Sequence, residues 1–168
     1  AWRWDFGDGT ESRAQNPPHV FLEWGVATVK LEVTLKDGST RTGTNRVRVR
    51  PQLGQGSDAA KRHTAQFASI VKSYEASRLS GKAAIEMGRI CLDAEKDAAM
   101  AALAVGLSKG AFDFKNRDHQ TLLQSLYGLY RAKRNWTGAL AVCEAVLGAP
   151  VDDLAVRELE SRGFGILR

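Results

Sequence analysis

Three arginines on one predicted strand are the most distinctive chemical feature of the sequence. Arg46, Arg48 and Arg50 alternate with valines, and alternate residues of a strand point to the same face, about 7 Å apart. A row of guanidinium groups can hold an acidic glycan, a layer of lipid headgroups or an acidic protein surface. It can equally keep a strand edge from aggregating, or pair with Glu23 and Glu32.

Three aspartates lie at predicted turns. Asp5 and Asp8 stand on either side of a glycine, and Asp37 precedes another. Calcium prefers oxygen ligands at alternate positions, but the run of acids found in dedicated calcium loops is absent. Aspartates in turns commonly accept hydrogen bonds from their own backbone. We expect that role here, and the sequence predicts neither a metal nor a cofactor.

The histidines and cysteines do not form a catalytic pattern. No two of the three histidines have metal-ligand spacing, so no metal site is predicted from them. We expect His19 to be a structural hydrogen-bonding residue, His63 to be solvated and His119 to cap a helix. Cys91 and Cys143 are expected to be small buried residues, with a disulfide as the alternative. Motifs of serine hydrolases, zinc peptidases and phosphate-binding loops are absent, so no enzyme is predicted within this segment.

Composition places these residues in a folded protein. The chain has 168 residues, of which 43% are hydrophobic and 26% charged, as in ordinary globular domains. The net charge of +5 is spread along the chain, so we expect no nucleic-acid partner. No run of eighteen apolar residues predicts a membrane span. The first residue lies within a predicted strand, and the last residues are apolar; we therefore expect a segment of a longer protein.

Two patterns of hydrophobic residues divide the chain. Residues 1–51 are rich in valine and threonine, alternate with a period of two over 27–35 and 40–50, and contain two Asp-Gly turns; they predict a β domain. A linker is predicted at 52–57. Residues 58–168 have the helical period and predict an α domain, so the fold class is α+β with two domains.

Six helices are predicted in the second part. The first carries Phe67, Ile70, Val71 and Tyr74 on one face and is expected to stop at Ser80 and Gly81. The second follows, and the third is predicted over 96–108, ended by a glycine as is common at helix C-termini. The fourth and fifth are predicted around residues 122–130 and 136–147, and the sixth over 152–159.

Three segments of the β part resemble the polycystic kidney disease (PKD) domain. They are Trp-Asp-Phe-Gly-Asp-Gly-Thr at 4–10, Asn-Pro-Pro-His-Val-Phe at 16–21 and Gly-Val-Ala-Thr-Val-Lys-Leu-Glu-Val at 25–33. The resemblance covers residues 1–50 and lacks the strands that precede the first motif in the family. It implies an immunoglobulin-like β-sandwich, found in extracellular or periplasmic proteins as a spacer or as a module that binds proteins or carbohydrates.

Part of the helical region, residues 82–150, resembles tetratricopeptide (TPR) repeats, most clearly over 123–150. Trp136 takes the aromatic position at the turn between helices, and Ala139 the small residue where helices touch. TPR grooves bind extended peptides, and the resemblance places Gln124, Arg131 and Arg89 on the groove. A plain helical bundle is the alternative.

Together these patterns predict a non-enzymatic, extracytoplasmic interaction or scaffold module. A protein partner would bind through the helical groove or the open sheet edge, and an acidic glycan is a second candidate ligand at the arginine row. Two alternatives are open: an accessory region of a secreted polysaccharide- or protein-degrading enzyme, and a structural subunit of a cell-surface assembly.

Overall fold

The first part of the chain forms one four-stranded antiparallel sheet. The computed structural model describes residues 1–50 and 58–148, without the side chains of 58–63. The strands are β1 (Trp2–Asp5), β2 (Glu11–Ser12), β3 (Gly25–Thr34) and β4 (Thr40–Val49). Their order across the sheet is β2-β1-β3-β4. The strands predicted around 27–35 and 40–50 are confirmed, whereas the two-residue β2 has no sequence pattern of its own.

Two tight turns join the strands as the Asp-Gly pairs predict. Gly38 has φ +83°, and Leu35 N–H donates to Ser39 O at 2.8 Å to close the β3–β4 hairpin. In the first turn, Gly7 and Gly9 have φ of +73° and +90°. Glycine takes this left-handed backbone conformation without steric cost, so the turns follow from these residues.

The sheet has one polar and one apolar face. Trp2, Trp4, Leu31 and Val33 share the apolar face, because Trp2 lies opposite Val33 and Trp4 opposite Leu31. These side chains are half-buried. Within the described residues the sheet is a single layer, so the second sheet of the predicted sandwich is not seen there.

Five α-helices follow the sheet within the described residues 58–148. They are α1 (Asp58–Val71), α2 (Gly81–Cys91), α3 (Lys96–Ser108), α4 (Arg117–Ala132) and α5 (Trp136–Leu147). Each packs against the next along the chain, and short connections join α2 to α3 and α4 to α5. The helix predicted over 96–108 is confirmed to the residue. In the part of the chain that the structure describes, no helix has the length and apolarity needed to cross a membrane.

The prediction that Ser80 and Gly81 stop the first helix is wrong. The helix α1 ends at Val71 and a short 3-10 turn, Ala76–Arg78, follows. Ser80 instead begins α2, where its hydroxyl accepts a hydrogen bond from Ala83 N–H at 3.0 Å. A serine N-cap is worth about 1 kcal/mol. Tyr74 therefore lies in the connection between α1 and α2, outside the helix that was predicted to contain it.

The helices have a continuous buried interior. One cluster lies among α1, α2 and α3 and includes Val71, Leu79 and Met87; the other extends from α2 to α5 and includes Leu103 and Leu126. Both cysteines, Cys91 and Cys143, are buried and no disulfide joins them. The predicted linker 52–57, Pro150 and the predicted sixth helix at 152–159 lie outside the described residues.

Two helical glycines of opposite surroundings test how tightly this interior is packed. A Cβ at Gly88 of α2 would lie 2.5 Å from Cγ and Cδ2 of Leu103, whereas a Cβ at Gly128 of α4 would meet nothing within 4 Å. Alanine gains about 1 kcal/mol of helix propensity over glycine, while overpacking a core costs about 1–3 kcal/mol. We expect Gly128→Ala to raise the free energy of unfolding and Gly88→Ala to lower it, measured by urea denaturation. Equal changes in both variants would contradict the close approach of α2 and α3.

Candidate interaction site

A chain of hydrogen bonds joins the sheet to the helices. His19 Nε2 lies 2.8 Å from Asp8 Oδ2, and His19 Nδ1 lies 2.9 Å from the Tyr74 hydroxyl. Asp8 and His19 belong to the loops of the sheet, and Tyr74 to the connection after α1. The His19 side chain is 6% exposed, so this contact, which we call the junction, is largely shielded from water. His19 is confirmed as a structural hydrogen-bonding residue.

The backbone of the sheet loop limits where protons lie in the junction. Val20 N–H donates to the Tyr74 hydroxyl at 2.8 Å, so that oxygen is already an acceptor. The hydroxyl proton can go to His19 Nδ1 at 2.9 Å or to Val20 O at 3.3 Å. The shorter distance favours His19. The histidine then carries its proton on Nε2 and donates it to Asp8.

Aromatic packing holds the histidine ring in place. The Phe6 and His19 rings are stacked with centroids 3.7 Å apart and planes 3° from parallel, and Phe21 meets His19 edge-on at 4.5 Å. Phe6 is 7% exposed. A ring held on two sides loses its rotamer freedom, so both nitrogens stay aimed at Asp8 and Tyr74.

The first Asp-Gly turn fits against the helical part. The Cβ that an alanine would add at Gly9 falls 2.6 Å from Arg78 O, and one at Gly7 falls 2.5 Å from Thr28 O. The loop that follows places Leu22 in the helical core and Glu23 against the hydroxyl of Ser80. The sheet therefore contacts the helices at several points, and glycine is required at one of them, Gly9, while Gly7 is required where the turn approaches β3.

The aspartates occupy turns, as expected. In each case Oδ1 accepts from the backbone N–H two residues on, at Gly7, Thr10 and Ser39. Burial raises the pKa of Asp8, but hydrogen bonds from His19 and Thr10 outweigh it and leave this pKa below its ordinary value. Asp8 is therefore an acceptor at neutral pH. Among the described residues no group of histidine, cysteine and acidic side chains could hold a metal ion.

Tyr74 is a protonated donor over a wide pH range. Burial raises its pKa to about 12 from 10.0; the backbone hydrogen bond with Val20 acts in the opposite direction, and the charge of Asp8 adds to the rise. A neutral phenol both accepts from Val20 N–H and donates onward, which a phenolate cannot do. The environment thus stabilises the form that the junction needs.

The predicted arginine row lies on the outer strand β4. Arg46 is opposite Thr28 and Arg48 opposite Val26, and Arg50 directly follows the strand; all three are exposed. Trp24 comes just before β3, next to Gly25, which lies opposite Val49. Trp24 is 73% and Val26 53% exposed. We call this set the basic face.

The arginine row is not paired as one alternative proposed. Glu23 bonds Ser80, and Glu32 lies opposite Arg3 on one side and Thr42 on the other. Arg3 itself pairs with Glu11 at 3.3 Å. Of the ion pairs found among the described residues, none involves the row. Pairing with Glu23 and Glu32 is therefore wrong as an explanation of the arginines.

Two of the three predicted groove residues, Arg89 and Arg131, have local partners. Arg89 lies on α2 and donates hydrogen bonds to the Glu86 carboxylate from Nε and Nη2 of its guanidinium. Arg131 lies over the ring of Tyr127, 5.9 Å from its centroid. Gln124 is exposed on α4. These interactions occur within single helices, as expected of i,i+3 and i,i+4 neighbours, and do not by themselves define a groove.

His119 differs from its predicted role. Asn116 caps α4, accepting from Asp118 N–H at 2.9 Å, whereas His119 Nδ1 accepts from Asp113 N–H at 2.9 Å. The histidine therefore stabilises the loop before the helix. The side chain of His63 lies outside the described residues.

Sequence reasoning missed Tyr74 and Trp24. Tyr74 fitted the apolar period of the first helix, so its hydroxyl was not considered. Trp24 lies before the alternating pattern that predicts the strand, so no role was assigned to it. An exposed tryptophan beside arginines is typical of interaction surfaces.

One family comparison supports the resemblance of the first part. The family model described as PKD domain matches residues 1–50. PKD domains are generally extracellular and often mediate protein–protein interactions. No solved structure matches the chain.

The close contact at Gly9 gives a test of the junction. Gly9→Ala places a side chain against Arg78 O at a positive φ, whereas Gly38→Ala has a positive φ with nothing within 4 Å. A strained backbone costs about 1–3 kcal/mol. We expect Gly38→Ala to show that cost alone and Gly9→Ala to lose about 2 kcal/mol more. Chemical denaturation measures both, and equal losses would show that the turn does not bear on the helices.

The Tyr74 hydroxyl gives a second test. Tyr74→Phe leaves Val20 N–H and His19 without their partner, which costs about 1–3 kcal/mol. Because the folded-state pKa is raised to about 12 from 10.0, the stabilisation is complete below pH 10 and is lost as pH rises towards 12. We expect the variant to be less stable at pH 7 and to lose less stability between pH 10 and 12, measured by denaturation at each pH.

Tyr130→Phe is the matched control at neutral pH, since the Tyr130 ring packs where α5 approaches and its neighbours are apolar or glycine. A Tyr74→Phe protein as stable as the parent at pH 7 would refute the junction.

Proposed function

We propose that the chain is a non-enzymatic, extracytoplasmic interaction module whose basic face binds an acidic partner. The observation that carries this proposal is the exposed row of Arg46, Arg48 and Arg50, with exposed Val26 opposite Arg48 and exposed Trp24 just before β3. The extracytoplasmic location rests on the match of residues 1–50 to the PKD domain.

The composition of the basic face fits a binding surface. Tryptophan and arginine are the residues most enriched among energetic hot spots of protein interfaces, and arginine pairs carboxylates through two parallel hydrogen bonds. Large exposed apolar side chains cost solubility, so an exposed tryptophan beside charged groups marks an interaction site. Arg3 and Glu11 neutralise each other elsewhere on the sheet, which leaves the β4 side with an excess of positive charge.

The junction gives the basic face a defined position. Hydrogen bonds at Tyr74 and the packing of Leu22 join the sheet to the helices, and none of these contacts uses an arginine of the row. Binding at the basic face therefore need not disturb the junction. A partner bound there would be held in a constant relation to whatever the helices contact, which is the property of a scaffold.

The helices are proposed to stack as TPR-like pairs. Consecutive helices pack in order, and α5 comes so close to α4 that a Cβ at Gly138 would lie 2.6 Å from the Tyr130 ring. Trp136, Leu140 and Leu147 are exposed on α5. In repeat arrays each unit covers the apolar side of its neighbour, so these residues are where a further unit would pack.

Binding to two acidic polymers tests the proposal. Poly-L-glutamate and polygalacturonate are immobilised, and the purified chain is measured against each at low and high salt. We expect binding to at least one of them, weakened about tenfold by the triple variant Arg46→Gln/Arg48→Gln/Arg50→Gln and weakened further by salt.

The control variant removes the same charge elsewhere. Lys82, Lys115 and Arg117 are exposed on the helical part, and their joint change to glutamine should leave binding nearly unaltered. Absence of binding to both polymers, or equal loss in the two triple variants, would overturn the proposed function.

A further inference from the structure

We propose that the outer edge of β4 receives an extended acidic peptide as a fifth, antiparallel strand. This inference rests on the proposed function and names the partner of the basic face. The partner strand would carry acidic side chains at alternate positions, opposite Arg46 and Arg48, and β-branched side chains between them.

Strand β4 is an edge of the sheet. The order β2-β1-β3-β4 places it last, and among the described residues it pairs with β3 alone. It is ten residues long, whereas the opposite edge, β2, has two. A long edge strand presents backbone groups that can pair with another chain.

The hairpin fixes which backbone groups point outward. Leu35 N–H donates to Ser39 O, so the backbone N–H and C=O groups of these two residues point towards each other, between the strands. Since hydrogen-bonded and non-hydrogen-bonded pairs alternate in an antiparallel ladder, the next pair, Thr34 and Thr40, faces outward. An independent contact agrees, because Thr34 N–H turns away from β4 and donates to Ala1 O at 2.9 Å.

The register of β3 with β4 shows that the arginines have the same backbone orientation as Thr40. Thr28 lies opposite Arg46 and Val26 opposite Arg48, each an even number of residues from the Thr34 and Thr40 pair. The backbone N–H and C=O groups of Arg46 and Arg48 therefore point away from the sheet. The residues that supply the guanidinium row are the same residues that supply the open edge.

A side chain occupies one of these outward amides. Asn45 Oδ1 accepts from Arg46 N–H at 2.9 Å, which is possible because that amide is not used in the ladder with β3. The contact joins adjacent residues on the surface, so an incoming carbonyl can replace it. Asn45 thus protects the edge and competes weakly with a partner strand.

Charge selects the partner. A residue directly opposite Arg46 or Arg48 in a new strand has its Cβ about 5 Å away, within reach of a guanidinium. Carboxylates there are favoured, and like charges are disfavoured. A second copy of this chain pairing edge to edge would bring two arginine rows side by side, so the sheet edge repels itself and admits an acidic strand.

The other face of the edge sets the intervening residues. Val47 and Val49 are half-buried on the apolar face, opposite Ala27 and Gly25. A β-branched side chain beside them extends that apolar face, and β-branched residues fit a pleated, half-buried surface. An acidic glycan could bind the guanidinium groups but has no peptide backbone to form a regular ladder with the outward N–H and C=O groups, so the observations favour a peptide.

A peptide of about nine residues, with glutamate at alternate positions and threonine or valine between, is the probe. In an antiparallel pair the glutamates opposite Arg46 and Arg48 direct their N–H groups towards β4. We expect N-methylation of those glutamates to weaken binding at least tenfold and N-methylation of the intervening residues to leave it nearly unchanged. A peptide of the same composition with its glutamates in one block should bind at least tenfold more weakly.

Two variants and one spectroscopic readout complete the test. The triple arginine variant should lose binding about tenfold, and Asn45→Val, which releases the Arg46 amide, should bind the peptide a few-fold more tightly. Amide hydrogen exchange should show fast exchange at Thr44, Arg46 and Arg48 in the chain alone and slower exchange once the peptide is bound.

The outcomes separate this inference from the proposed function. Binding of polygalacturonate or of the block peptide as strong as that of the alternating peptide would keep an acidic partner and overturn the added strand. Equal loss from both N-methylation patterns, or slow exchange of the β4 amides before any peptide is added, would also overturn it. Failure of every acidic probe would overturn both proposals.

Discussion

The Tyr74 hydroxyl lies partly buried between two parts of the chain, and the need to satisfy its hydrogen bonds there constrains the segments around it. A buried polar group without a partner costs about 1–3 kcal/mol, and this hydroxyl has three polar neighbours, His19 and both backbone groups of Val20. His19 in turn requires Asp8. Among the described residues, every buried side-chain nitrogen or oxygen has a hydrogen-bond partner.

That network explains why the first turn has its sequence. Asp8 must reach His19 while its other oxygen accepts from Thr10, which needs a backbone that reverses sharply on both sides. Gly7 and Gly9 supply positive φ angles and leave room for the carbonyls of Thr28 and Arg78. One short segment therefore positions a strand, a histidine and a helical connection together.

The same arrangement leaves the far side of the sheet open. The loops of the sheet contact the helices, whereas the arginines of β4 stay exposed to solvent. The positive charge of the outer strand repels the same edge of a second copy and attracts acidic side chains of another chain. The protection of a sheet edge and the recognition of a partner are thus compatible properties of Arg46 and Arg48.

Local sequence determined the elements and their turns. Alternating valines predicted β3 and β4, Asp-Gly pairs predicted the turns, and the apolar period with a closing glycine predicted α3 to the residue, because these features depend on neighbours a few positions away. Tyr74 and Ser80 were misplaced, since their roles depend on His19, Glu23 and the start of α2. Such contacts arise only when distant segments meet, so tertiary structure alone decided which side chains became the junction and which edge remained open.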